Sequence, residues 1–138
     1  MKILAPLLSG KEKAPEYIEA ITNKIDKIIL LQIVDQEFMN NTGAAMGEVM
    51  QMHSLLEEIK KEIGKKRKSC DEISEWGKTL NKIVSIALIQ QVDKVVFVDQ
   101  ENKFFRDLVK GVKDNKINVE LIKIIEVEEN GKNKKRQR

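Results

Sequence analysis

The chain has 138 residues, enough for one domain whose core needs no covalent staples. At 41% hydrophobic and 34% charged it reads as globular, not disordered, and no run approaches the roughly 18 apolar residues that span a bilayer. The net charge of +3 is mostly a tail: of the 25 basic and 22 acidic residues, five and one lie in residues 129–138, leaving 20 against 21 elsewhere. The single cysteine, Cys70, excludes an intrachain disulfide and favours a reducing cytoplasm. The opening Met1-Lys2-Ile3-Leu4-Ala5-Pro6 is too short for a signal-peptide apolar region, so a cytoplasmic location is expected.

In chain order, Lys2 to Leu8 is an apolar run closed by Ser9-Gly10, a first strand and turn. Pro15 suits the first turn of a helix, where its missing N–H costs nothing, and Ala14, Ile18, Ile21 and Ile25 give that helix one buried face. Ile28 to Val34, broken only by Gln32, is a second buried strand, so the three elements form a βαβ unit with parallel strands and a right-handed crossover. Asn40-Asn41-Thr42-Gly43 marks a loop. Ala45, Val49, Met52, Leu56, Ile59 and Ile63 then predict an amphipathic helix near 44–66 of about five turns. Its heptad-like register lasts under three heptads, which favours packing on a sheet over a coiled coil.

Cys70 to Trp76 is a weak strand, placed at an edge by its acids. Gly77 leads into a helix carrying Leu80, Ile83, Val84, Ala87 and Leu88. Val95 to Val98 is a buried strand ending abruptly in Asp99-Gln100-Glu101-Asn102, and Phe104 to Val112 is a helix with Phe105, Leu108, Val109 and Val112 inward. Asn118 to Val127 is the last strand. The expected domain is 1–127, with 128–138 a disordered basic tail. The order βαβαβαβαβ predicts an α/β fold: a Rossmann-like or flavodoxin-like three-layer sandwich, with a five-stranded parallel sheet in order 3-2-1-4-5.

Three strands carry a resemblance. Lys2-Ile3-Leu4-Ala5-Pro6, Leu30-Leu31-Gln32-Ile33-Val34-Asp35 and Val92-Asp93-Lys94-Val95-Val96-Phe97-Val98 are similar to the K-I-L-V-P, L-L-H-V-x-D and x-D-L-I-V-M-G strands of the universal stress protein (UspA-like) family. Gly77 before a helix resembles that family's glycine before its third helix. ATP-binding members carry G-x2-G-x9-G-[ST] after the fourth strand, whose amides cradle phosphates. Here Asp99-Gln100-Glu101-Asn102-Lys103 stands in that place, shorter by roughly ten residues, with two carboxylates and no glycine until Gly111. The acid that many members place after the first-strand proline is replaced by Leu7 and Leu8. The resemblance is therefore to a divergent member lacking the ATP loop.

Candidate sites are sparse. Gly77-Lys78-Thr79 imitates the end of a P-loop, but the glycine required five residues earlier is Glu72. His53, the only histidine, has no second imidazole or thiol pair for a metal and reads as an exposed helix residue. Cys70 follows a basic run that favours a reactive thiolate, yet no motif supplies a base, and it reads as an ordinary cysteine. Met46, Met50 and Met52 offer an adaptable surface but read as packing. Asp99 and Glu101 are a candidate metal or acid–base pair, against the reading of a solvated loop. Lys60–Lys68 and the tail lack interleaved aromatics, so nucleic-acid binding is not favoured; no metal and no membrane partner are expected.

Three functions remain open. The first is a non-catalytic, stress-associated regulatory binding module that homodimerises; universal stress proteins resemble this in dimerising through their final strand. Here that strand exposes an edge to pairing at Val119, Leu121, Ile122, Ile124 and Ile125. The second is binding of an adenine nucleotide, ATP or AMP, near Pro6, Val34, Asp99 and Lys103 without the usual glycines. The third is an enzyme using Asp99 or Glu101 where the strand order reverses.

Overall fold

Parallel strands buried on both faces need helices on both sides, and β-branched runs supply such strands here. The structure, a computed structural model, describes the backbone of residues 1–35 and 45–125 and their side chains other than those of 45–49. Its elements are β1 (Lys2–Pro6), α1 (Pro15–Thr22), β2 (Lys27–Val34), α2 (Ala45–Lys65), β3 (Asp71–Trp76), α3 (Thr79–Gln90), β4 (Lys94–Val98), α4 (Lys103–Asp114) and β5 (Val119–Ile122). All strands pair in parallel in the order β3-β2-β1-β4-β5, as the sequence predicts. Leu4 of β1 sits between Ile29 of β2 and Val95 of β4, and Val95 pairs onward with Val119.

The period-2 alternation divides the core. On one face Ile3, Ala5, Ile28, Leu30, Val96 and Val98 pack with Tyr17, Ile18 and Ile21 of α1 and Leu56, Ile59 and Ile63 of α2. On the other Leu4, Ile29, Leu31, Val95 and Phe97 pack with α3 and α4, where Phe97 and Phe105 meet edge to face at 5.5 Å. Tyr17 is fully buried and its hydroxyl donates to the Val96 carbonyl, tying α1 to β4. Burial pushes that phenol well above its ordinary pKa.

Several boundaries differ from expectation. β1 ends at Pro6, although the Leu7 amide still pairs with the Leu31 carbonyl. α1 closes at Thr22, and Ile25 reaches the core from the following turn. In α3, Ile83, Ile86 and Ala87 face inward and Leu88 is exposed: Leu88 lies about 100° round the helix from Ala87, off the buried stripe. Met50 projects to solvent, 66% exposed, and does not fill a gap; Met46 lies outside the described side chains.

β5 departs most, ending at Ile122 where a strand to Val127 is expected. The last ladder bond runs from the Asp99 amide to the Ile122 carbonyl. The Ile125 amide then donates to the Glu16 carboxylate at 2.8 Å, drawing the arm across the start of α1. Ile122 and Ile124 pack into the α1/α2 core, Val119 packs on the opposite face, and Leu121 and Ile125 remain exposed. Residues 126–138, including the expected tail, lie outside the described residues, as does the loop at 40–43.

Candidate functional site

In an open α/β sheet the crevice for a ligand forms at the carboxyl ends of the strands, where the order reverses. The reversal lies between β1 and β4, and a cavity of about 680 Å³ opens there. Leu7 to Gly10 after β1, Ile33 and Asp35 at the end of β2, Gln51, Met52 and Leu55 of α2, Thr79 of α3, and Gln100, Asn102 and Phe104 after β4 line it. The volume suits a drug-sized ligand, and apolar walls with a few neutral amides and hydroxyls are the usual make-up of such a pocket. Asp35 is the one charged side chain among these lining residues.

Several polar groups around the cavity are held by contacts within the chain. Glu12, 1% exposed, lies behind the β1–α1 loop. Its carboxylate accepts from the amides of Leu8 (3.1 Å), Ser9 (2.9 Å) and Gly10 (3.0 Å) and from the Ser9 hydroxyl (2.8 Å). Gly10 has φ +84°, which lets the turn aim these successive amides at one carboxylate. α3 has no local side-chain cap; Asp35 from the end of β2 accepts from both the amide (3.1 Å) and the hydroxyl (3.0 Å) of Thr79. The P-loop mimic Gly77-Lys78-Thr79 is thus a helix start held by a carboxylate, with the Gly77 amide bonded to the Val34 carbonyl. At α4, Asn102 is the N-cap and accepts from the Phe105 amide at 2.7 Å.

The residues expected from sequence are brought together only in part. Pro6 and Val34 end β1 and β2, buried just beneath the cavity and not among its lining residues. Asp99 and Glu101 fall in an adjoining depression of about 450 Å³ on the β5 side, which shares Ser9, Gln100 and Asn102 with the cavity and adds Lys11, Lys123 and Ile124. Lys103 lines neither and pairs with Asp107 at 2.7 Å on the exposed side of α4, which raises the lysine's pKa and lowers the aspartate's. No cluster of three or more His, Cys, Asp or Glu suited to a metal occurs among the described residues.

The other candidates are distributed over the surface. His53 is exposed on α2. Cys70 is half-buried against the α1/α2 core, and burial pushes its thiol up against the opposing pull of Lys60. Three of the six basic residues in 60–68 are matched by acids: Lys60 with Glu72 (2.6 Å), Lys65 with Glu62 (3.0 Å) and Lys66 with Glu19 (3.0 Å). No helix among the described residues is long and apolar enough to cross a membrane.

Sequence reading missed Glu12, Leu55 and Phe104 as site residues, and named Asp35 only at a strand end and Thr79 only in the P-loop mimic. For Glu12 a signal existed: Ser9 and Glu12 have the S-x-x-E spacing of a capping box, and the glutamate does reach back to the Ser9 amide. The Asp35–Thr79 contact joins residues 44 apart and has no local signature.

No family model matches the chain, and no curated protein matches it. Solved structures do. Hypothetical protein MJ0577 superposes with TM-score 0.66 at 24% identity, covering 91% of this chain and 97% of that one. The universal stress protein UspA from Lactobacillus plantarum gives TM-score 0.68 at 16% identity, covering 88% of this chain and 97% of the other. A universal stress protein in complex with cAMP gives TM-score 0.56 at 11% identity, covering 90% and 98%. At these identities the likeness is one of architecture, and in strand order, strand direction and helix placement the chain has the universal stress protein fold.

Proposed function

We propose that the chain is a non-catalytic, regulatory binding module of the universal-stress-protein type, taking one small organic molecule in the cleft between β1 and β4 and pairing with a second copy through β5. The observation that carries this reading is the cleft itself. It is a cavity of about 680 Å³ at the reversal point, walled by Leu7, Leu8, Ile33, Leu55 and Phe104 and dotted with neutral amides and hydroxyls. The two hydroxyls at its rim, on Ser9 and Thr79, donate to Glu12 and Asp35, carboxylates already engaged as loop and helix caps. Such groups hold a ligand and its surroundings in place; they do not form an activated nucleophile with an oxyanion site.

Self-pairing is supported by the outer side of β5, where Leu121 is 41% exposed on a strand bonded to β4 alone among the described residues. A second reading, an adenine nucleotide in the cleft, is favoured by the likeness to a universal stress protein in complex with cAMP. Calorimetric titration of the purified chain with adenosine, AMP, cAMP and ATP with Mg²⁺ tests both readings. Saturable binding of at least one of them at one site per chain supports a ligand cleft. Absence of heat for all four at millimolar ligand refutes it.

A further inference from the structure

Phosphate ligands are held in folds of this type by backbone amides and helix N-termini at the carboxyl edge of the sheet. Three such donor groups surround this cleft, and each is occupied by an oxygen from the chain itself. The amides of Leu8, Ser9 and Gly10 converge on Glu12. The N-terminus of α3 is closed by Asp35, and that of α4 by Asn102. Two of the three plugs are carboxylates, so the charge that a phosphate would bring is already present. The described lining residues include no lysine or arginine; Lys11 and Lys123 lie in the adjoining depression, in the company of Asp99 and Glu101.

From this arrangement we infer that the cleft selects an uncharged, ring-bearing molecule of nucleoside size and rejects its phosphorylated forms, with Asp35 and Glu12 as the specificity-determining residues. The inference rests on the reading of the cleft as a ligand site. Apolar walls from Leu7, Leu8, Leu55 and Phe104 receive the ring, and Gln100 and Asn102 stand at the rim with neutral amides for its polar edge. A phosphate entering the same space would meet no cation among these residues and would lie near the Asp35 carboxylate in a partly desolvated site, where like charges repel more strongly than in water.

The test uses the full chain and three probes, adenosine, AMP and ATP with Mg²⁺, titrated at low salt into wild type, Asp35→Asn and Glu12→Gln. The amide introduced by Asp35→Asn keeps a carbonyl that can accept from Thr79, so this variant removes charge with little change of shape. Expected is adenosine binding at least about ten-fold more tightly than AMP in wild type, with ATP weaker still. The ratio of adenosine to AMP affinity should narrow at least about three-fold in Asp35→Asn, and narrow again with added salt. AMP or ATP binding as tightly as adenosine overturns the inference while leaving the cleft a ligand site. An unchanged ratio in folded Asp35→Asn also overturns it. Failure of all three probes to bind removes the cleft reading itself, a result distinct from either. If Glu12→Gln does not fold, wild type and Asp35→Asn decide the matter.

Discussion

Replacing Glu12 by Gln probes the framework of the site at one atom pair. In the native loop a carboxylate that is 1% exposed accepts four hydrogen bonds, three of them on Oε2 and the Gly10 amide on Oε1. Glutamine keeps one acceptor oxygen and brings an NH₂ group. Whichever way it turns, a donor faces at least one backbone amide. The losses are one bond to a charged acceptor, about 1.5–3 kcal/mol, and a buried donor without a partner, about 1–3 kcal/mol. Against these stands the smaller relief of no longer burying a charge, reduced to about 0.5–2 kcal/mol because four hydrogen bonds already satisfy the ion. The expected net loss is about 2–4 kcal/mol, or roughly 8–16 °C in Tm for a domain of this size. Urea unfolding followed by far-UV circular dichroism is the suitable assay, because Trp76 is 65% exposed and its emission reports folding poorly. Glu58→Gln is the control: Glu58 pairs with Lys13 at 2.9 Å on the surface, and its loss should cost under about 1 kcal/mol. A Glu12→Gln loss no larger than the control would refute the account of the loop.

Other expectations follow from the same contacts. If the chain pairs through β5 as proposed, Leu121→Lys should give a monomer in light scattering with little change in stability. Ile122→Lys should instead unfold the chain, since Ile122 packs into the α1/α2 core. A monomeric wild type would contradict the self-pairing proposal. The backbone bond from Ile125 holds the Glu16 carboxyl below its ordinary pKa, so the tether to the arm is intact above the usual carboxylate range. It is lost as pH falls through the lowered value, and amide exchange at Ile125, corrected for its intrinsic pH dependence, should lose protection there. Because burial raises the Cys70 thiol, alkylation at pH 8 should be slower in the folded chain than in urea. Equal rates would contradict that burial.

How much of this was legible in the sequence depends on the range of each interaction. Val95 to Val98, Ile28 to Val34 and the Phe105-Leu108-Val109-Val112 stripe announce themselves because burial is written into local periodicity. Strand order followed from the alternation of elements. The end of β5 was not legible: Ile124 and Ile125 have strand-like side chains, but β4 ends at Val98 opposite Ile122, and the Ile125 amide goes to the distant Glu16 carboxylate. The cleft lies at the edge of the sheet that the sequence points to, but its polar residues are not the expected ones. Asp99 and Lys103 follow β4 in sequence, yet the groups that shape the cavity are Glu12, Asp35 and Thr79, which are joined through tertiary contacts. The glycine-free loop after β4 was legible as the break between strand and helix, and the structure adds that Asn102 caps the start of α4.

The most direct measurement is a two-dimensional amide NMR titration of the labelled chain with adenosine. Saturable shifts confined to Leu7, Leu8, Ser9, Gly10, Asp35, Thr79, Gln100 and Asn102 are the predicted result, because these residues line the cavity from four different segments. Shifts centred instead on Asp99, Glu101 and Lys123, or no shifts at millimolar adenosine, would contradict the central claim that the β1/β4 cleft holds an uncharged ligand.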